Sequence, residues 1–268
     1  MRLKPSAFNV LSLISLLLLT GALACYVSYK SDIRHLRHIV RTQITTGNDP
    51  DVFEALNHWV YENKGFKKNP NYFLFKPLGP TPIQVLNEGG DCTDKSLLLI
   101  TMLDSIGIDS TLVMLYSADG ETATHTVVEV RDGQFKAVAD PVFDMVFPKL
   151  IGGHYSVGEL RENPAILLNR LDHLVDERGR NNKVAKYRRA NETYQFATTI
   201  NWDKLKVLQV MSELLGKFGI DARDIRRPHF LDDPKLFTAT VLFAFSVVFL
   251  TLALALRGKW GRLTRDQA

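Results

Sequence analysis

The sequence is poor in cysteine: only Cys25 and Cys92 occur in 268 residues. Cys25 lies in an apolar N-terminal segment and Cys92 in a mixed region far from it, so no disulfide framework is expected. No His/Cys pair has ligand spacing, so no metal site is expected. No glycine-rich phosphate loop, internal repeat or low-complexity tract is present, and no cofactor is implied. The formal net charge is +4, but the excess gathers near the ends and in one internal run. Nucleic acid is therefore not indicated as a partner.

What the chain does have is apolar sequence, 46% of its residues. Two runs carry no charge: residues 7–29 (AFNVLSLISLLLLTGALACYVSY) and 236–256 (LFTATVLFAFSVVFLTLALAL). Each is long enough to span a bilayer and lacks a polar face. The first has a basic start and Ala22-Leu23-Ala24, which also reads as a secretory signal peptide with a cleavage site. The tail after the second run holds Arg257, Lys259, Arg262 and Arg265 before its one acid, Asp266, and the short N-terminus holds Arg2 and Lys4. Basic tails stay in the cytoplasm, which turns the intervening chain outward, into the periplasm of a Gram-negative cell. Lys30, Arg34, Arg37 and Arg41 argue the other way, but long domains translocate largely regardless of charge.

These features divide the chain. Residues 1–29 are an N-terminal transmembrane helix or signal anchor, and 30–153 a core domain opened by a juxtamembrane helix. Residues 154–235 are a helical extension, 236–256 the C-terminal transmembrane helix and 257–268 a basic cytoplasmic tail. Membrane lipid is the partner of both spans. Residues 30–44 carry Ile33, Leu36, Ile39, Val40 and Ile44 at helical spacing. Residues 66–85 hold four prolines and read as an extended loop. Within 154–235, the basic stretch Arg178, Arg180, Lys183, Lys186, Arg188 and Arg189 is either a solvated face or a site for an anionic glycan or lipid headgroup.

The informative stretch is NEGGDCTDKSLLLITMLDSIGI, residues 87–108. From Cys92 to Ile106 the apolar positions cover more than one stripe, which predicts a central helix stopped by Gly107. STLVMLY and THTVVEV then read as strands, and the Asp132-Gly133 turn leads to a third, FKAVAD. The expected fold is α+β: a core helix packed on an antiparallel sheet. Cys92 opens that helix, where the dipole and unpaired N–H groups favour a thiolate. A nucleophilic thiol needs a base and an orienting group. His125 on the second strand and Asp140 at the end of the third meet that need if the strands pair through the turn. Asp91, Asp94 and Glu129 are the other nearby acids, with capping or exposed positions expected for them.

The ordered set GGDC, Gly107-Ile108, HTVVEV and ADPVF resembles the transglutaminase-like superfamily, relatives of the papain fold, over about residues 50–150. The resemblance implies a triad of Cys92 as nucleophile, His125 as base and acid, and Asp140 as orienter. It also implies an acyl-transfer, amidase or peptidase reaction through a thioester, with a peptide, protein or amide as substrate. By the same analogy Gln84 would donate to the oxyanion. Where many members carry tryptophan after the histidine, this chain has Thr126 and Val127. The resemblance also allows a second use, a non-catalytic binding or scaffold domain serving envelope glycan or exopolysaccharide machinery.

Overall fold

A computed structural model describes residues 6–44, 49–187 and 193–265. Helix α1 (Ser6–Gln43) runs without a break through the apolar segment and the basic juxtamembrane stretch. The boundary expected near residue 30 is therefore a change of surroundings within one helix. Its first part is exposed and apolar, while Ile33, Leu36 and Val40 are buried. Helix α8 (Pro234–Arg265) returns antiparallel to it. Ser15 Oγ donates to the Ser246 carbonyl and Ser246 Oγ to the Ser15 carbonyl, both at 2.9 Å. Gly21 admits Leu242 at close range, and Lys235 Nζ lies 2.5 Å from Asp32 Oδ2 at the end of the apolar runs. Both helices are long and apolar enough to cross a membrane.

Between them lies an α+β domain. Helices α2 (Asp49–Glu62), α3 (Pro82–Glu88) and α4 (Cys92–Ser105) precede strands β1 (Ser110–Tyr116), β2 (Ala123–Asp132), β3 (Phe135–Asp140) and β4 (Met145–Val146). Helices α5 (Val157–Glu162) and α6 (Ala165–Arg178), strand β5 (Thr193–Thr198) and helix α7 (Lys206–Lys217) follow. The five strands form one antiparallel sheet in the order β4-β3-β2-β1-β5. Strand alternation gives it two apolar faces. Leu112, Val128, Val130, Ala137 and Ala139 pack against Leu36, Phe53, Leu98 and Met102 of α1, α2 and α4. On the other face Val113, Val127 and Val138 meet Leu160, Leu167 and Leu171 of α5 and α6.

Three expectations need correction. Residues 66–85 are not loop throughout, because α3 starts at Pro82. Thr81 and Gln84 form a capping box and Pro82 occupies the first helical position, so the prolines that suggest a loop include the one that starts this helix. The stretch 154–235 is not purely a helical extension. It supplies β5, which pairs with β1, and α5 and α6, which cover the second face of the sheet. Strand β5 is short and buries Tyr194, Ala197 and Thr198, an irregular pattern without period-2 alternation. Glu129 is buried, not exposed. It pairs with Arg131 and accepts from the Val157 N–H at 3.1 Å.

Candidate active site

The site is built from the start of α4. Asp91 caps the helix: its carboxylate accepts from the Asp94 N–H at 3.1 Å, and Asp94 Oδ2 accepts in return from the Asp91 N–H at 3.2 Å. Burial and the neighbouring Asp91 push the Asp94 carboxyl up to about 6. Both glycines before the cap are required by space. Gly89 sits at φ +84° with the Lys64 carbonyl 2.8 Å from where a Cβ would be, and a Cβ on Gly90 would collide with the Asp94 side chain. Cys92 is the first residue of α4, so its N–H belongs to the helix end that has no intrahelical partner.

Helix α4 is held over β2 by Ser96, one turn after Cys92. Its Oγ donates to the Thr126 carbonyl at 3.1 Å. That bond brings Cys92 to the residues at the start of β2. The far end of α2 is tied in by Lys95, which is buried and donates to the carbonyls of Val60, Tyr61 and Asn63 at 2.5, 3.0 and 3.2 Å. A buried ammonium here satisfies the unpaired carbonyls of a helix C-terminus.

The β2–β3 hairpin delivers the other two residues. Asp132 pairs with Phe135, so the two-residue turn is Gly133-Gln134, with Gly133 at φ +57°. The register runs to Val128 opposite Ala139. One step further Asp140 faces Val127, on the same side of the sheet as His125 and within diagonal reach. His125 Nε2 lies 2.7 Å from Asp140 Oδ2. The other carboxylate oxygen accepts from the N–H groups of Val142 at 2.9 Å and Phe143 at 3.2 Å. Phe143 and Tyr187 pack edge-on against the His125 ring, with centroids 5.5 and 6.2 Å away. The imidazole is thus held by a carboxylate and two aromatic rings, and both His125 and Asp140 are buried.

With Nε2 given to Asp140, Nδ1 is the ring nitrogen left for the thiol. Burial pushes the Cys92 thiol up, but the adjacent His125 ring and Thr126 hydroxyl outweigh it and the net direction is down. Burial favours neutral His125, but Asp140 and Cys92 outweigh it and its pKa is raised. The two shifts run in the sense of a thiolate–imidazolium pair. Thr126, at the position where tryptophan was expected, is one of the groups that lower the thiol's pKa.

The remaining predicted residues are placed as follows. Gln84 lies on α3, and its Oε1 accepts from the Thr81 N–H at 2.8 Å, so half of its amide serves the helix cap. Arg178 is occupied: it pairs with Asp144 at 3.3 Å and donates to the Phe143 carbonyl, bracing the loop that follows Asp140. Lys183 lies over the Tyr61 ring at 4.5 Å. Arg180 and Lys186 are exposed, and Arg188 and Arg189 lie outside the described residues. Among the described residues no group of three His, Cys, Asp or Glu side chains could hold a metal. Phe143, Asp144 and Tyr187 were not singled out from sequence.

No family model and no curated protein matches the sequence. A solved structure from Cytophaga hutchinsonii, described as a "Putative Cysteine Protease", is similar at 16% identity and a TM-score of 0.35. The match covers 41% of this chain and 37% of that one.

Proposed function

We propose that the chain is a membrane-anchored, transglutaminase-like cysteine enzyme with Cys92, His125 and Asp140 as its triad. The observation that carries the reading is the 2.7 Å contact between His125 Nε2 and Asp140 Oδ2, with Cys92 beside the ring. In this reading α1 and α8 anchor the protein in the bacterial cytoplasmic membrane, with the domain outside and the basic tail inside.

The chemistry follows from the positions. The Cys92 thiolate attacks the carbonyl carbon of a carboxamide or peptide bond. The oxyanion that forms is met by the Cys92 N–H at the start of α4, with the Nε2 of Gln84 as the second donor. Protonated His125 gives its proton to the departing amine as the C–N bond breaks, which leaves a thioester on Sγ. An amine or water then attacks the thioester carbonyl, His125 takes the proton of that nucleophile, and the C–S bond breaks to release the Cys92 thiolate. Asp140 keeps the ring in one tautomer and stabilises its charged form.

The test is covalent capture. The full-length protein in detergent is treated with a peptidyl electrophile that mimics a glutamine acyl donor, and the adduct is mapped by mass spectrometry. Modification at Cys92 that is lost in Cys92→Ala and slowed in His125→Ala supports the reading. Equal slow modification of wild type and His125→Ala refutes it and favours the scaffold role.

A further inference from the structure

Among the described residues, helix α7 is a long amphipathic element whose apolar side the domain leaves uncovered. Val207, Val210, Met211, Leu214 and Phe218 recur at helical spacing on one stripe, and all are exposed, Phe218 by 81%. Leu208, Ser212 and Leu215 lie on the adjoining side of the helix and are half-buried. Such a stripe on a soluble surface is an uncompensated apolar patch and marks a contact.

Its place in the fold says what it contacts. Strand β5 runs antiparallel to β1, so the chain leaves β5 toward the end of the sheet where β1 begins. The turn Trp202–Lys204 leads into α7 and the turn Ala222–Asp224 leads out. Thr199 Oγ1 donates to the Ile225 carbonyl, and Arg226 pairs with Asp109, the residue before β1. Arg227 pairs with Asp232 at 3.0 Å, and Asp232 and Asp233 line a small cavity with Tyr29, Ile100 and Asp104. Those residues mark the C-terminal end of α4 and the point where the apolar runs of α1 and α8 begin. Helix α7 is therefore tethered at the end of the domain nearest to the two apolar helices. Lys206 and Lys217 lie exposed at its two ends, with Glu213 its single acid. An apolar stripe flanked by lysines suits the headgroup boundary of a bilayer.

We propose that α7 lies in the lipid interface as a third membrane contact, with the Val207–Phe218 stripe facing the acyl chains. The proposal rests on the reading of α1 and α8 as membrane spans. It has a consequence for the site. Cys92 stands at the other end of α4, about 20 Å away along a 14-residue helix. A domain resting on α7 holds the thiol at the side turned away from the bilayer.

The test is depth measurement by spin label in the full-length protein, reconstituted in vesicles of phosphatidylethanolamine and phosphatidylglycerol at low protein density. In a background with Cys25 and Cys92 replaced by alanine, Val210→Cys and Leu214→Cys on the stripe, Gln209→Cys on the polar face and Val248→Cys in α8 are labelled one at a time. The expected result is oxygen accessibility several-fold above that of a nickel chelate at 210, 214 and 248, and the reverse at 209. An immersed 248 label with water-exposed 210 and 214 labels overturns the interfacial helix and leaves the anchor standing. A water-exposed 248 label counts against the anchor itself, and the proposal falls with it. Spin–spin broadening between labels at 210 assigns the stripe to a second copy and overturns the proposal.

Discussion

His125 Nε2 and Asp140 Oδ2 are 2.7 Å apart in a setting that leaves either group little freedom. The carboxylate spends its other oxygen on two backbone N–H groups, and the ring is walled by Phe143 and Tyr187. Removing the carboxylate charge keeps the shape but loses the stabilisation of the imidazolium. Asp140→Asn is therefore expected to fold normally and to lower the rate of Cys92 acylation by roughly a hundredfold or more. Circular dichroism and acylation kinetics on the same preparation check both halves. An unchanged acylation rate contradicts the role given to Asp140.

Lys95 supplies three donors to the end of α2 from a buried position. Lys95→Met keeps most of the volume and leaves three carbonyls without that donor. A loss of about 3 kcal/mol is expected. Thermal unfolding of the detergent-solubilised protein measures it, and a melting temperature equal to wild type contradicts it.

Gly90 has no room for a side chain beside Asp94. Gly90→Ala has to open the capping box at the start of α4, at a cost of about 1–3 kcal/mol. Because the same box sets the position of Cys92, alkylation of the thiol is expected to slow together with the fall in stability. Gly107→Ala serves as comparison: it sits at φ +90° with open space around it, and its effect is confined to stability.

Helices α1 and α8 are paired by two reciprocal serine–backbone bonds at Ser15 and Ser246. Ser15→Cys with Ser246→Cys, in a Cys25→Ala background, is expected to cross-link under mild oxidation in native membranes. Displacing one cysteine by two helical turns, to Ala22, is expected to abolish the cross-link. A bridge that forms equally from both positions contradicts the antiparallel register.

The part of the fold nearest the chemistry was legible because several local rules agreed there. Gly89, Gly90 and Asp91 announce the start of α4, its apolar residues announce a core position, and Asp132-Gly133 announces the hairpin that carries His125 and Asp140. Less was legible where rules conflicted or segments were short. Pro82 both breaks a chain and starts a helix, so α3 was hidden among prolines. Strand β4 has only two residues, and β5 buries Tyr194, Ala197 and Thr198 without period-2 alternation, so periodicity finds neither. Arg178 read only as part of a basic run, solvated or ligand-binding, because its partner Asp144 is 34 positions away in sequence and only the fold brings them together. The packing of Phe143 and Tyr187 on His125 was hidden for the same reason.

In the proposed triad His125 activates Cys92, and the pH dependence of Cys92 alkylation reads out that activation. The thiol pKa is lowered from 9.0 by the His125 ring in spite of burial, and the His125 pKa is raised by Asp140 and the thiolate. Reactivity toward iodoacetamide in a Cys25→Ala protein should therefore persist below the ordinary thiol range and fall as the thiolate is protonated. In His125→Ala the desolvation remains and the counter-charge is gone, so the midpoint should move upward, past 9.0. A wild-type midpoint at or above 9.0, unmoved by His125→Ala, would show that His125 does not activate the thiol.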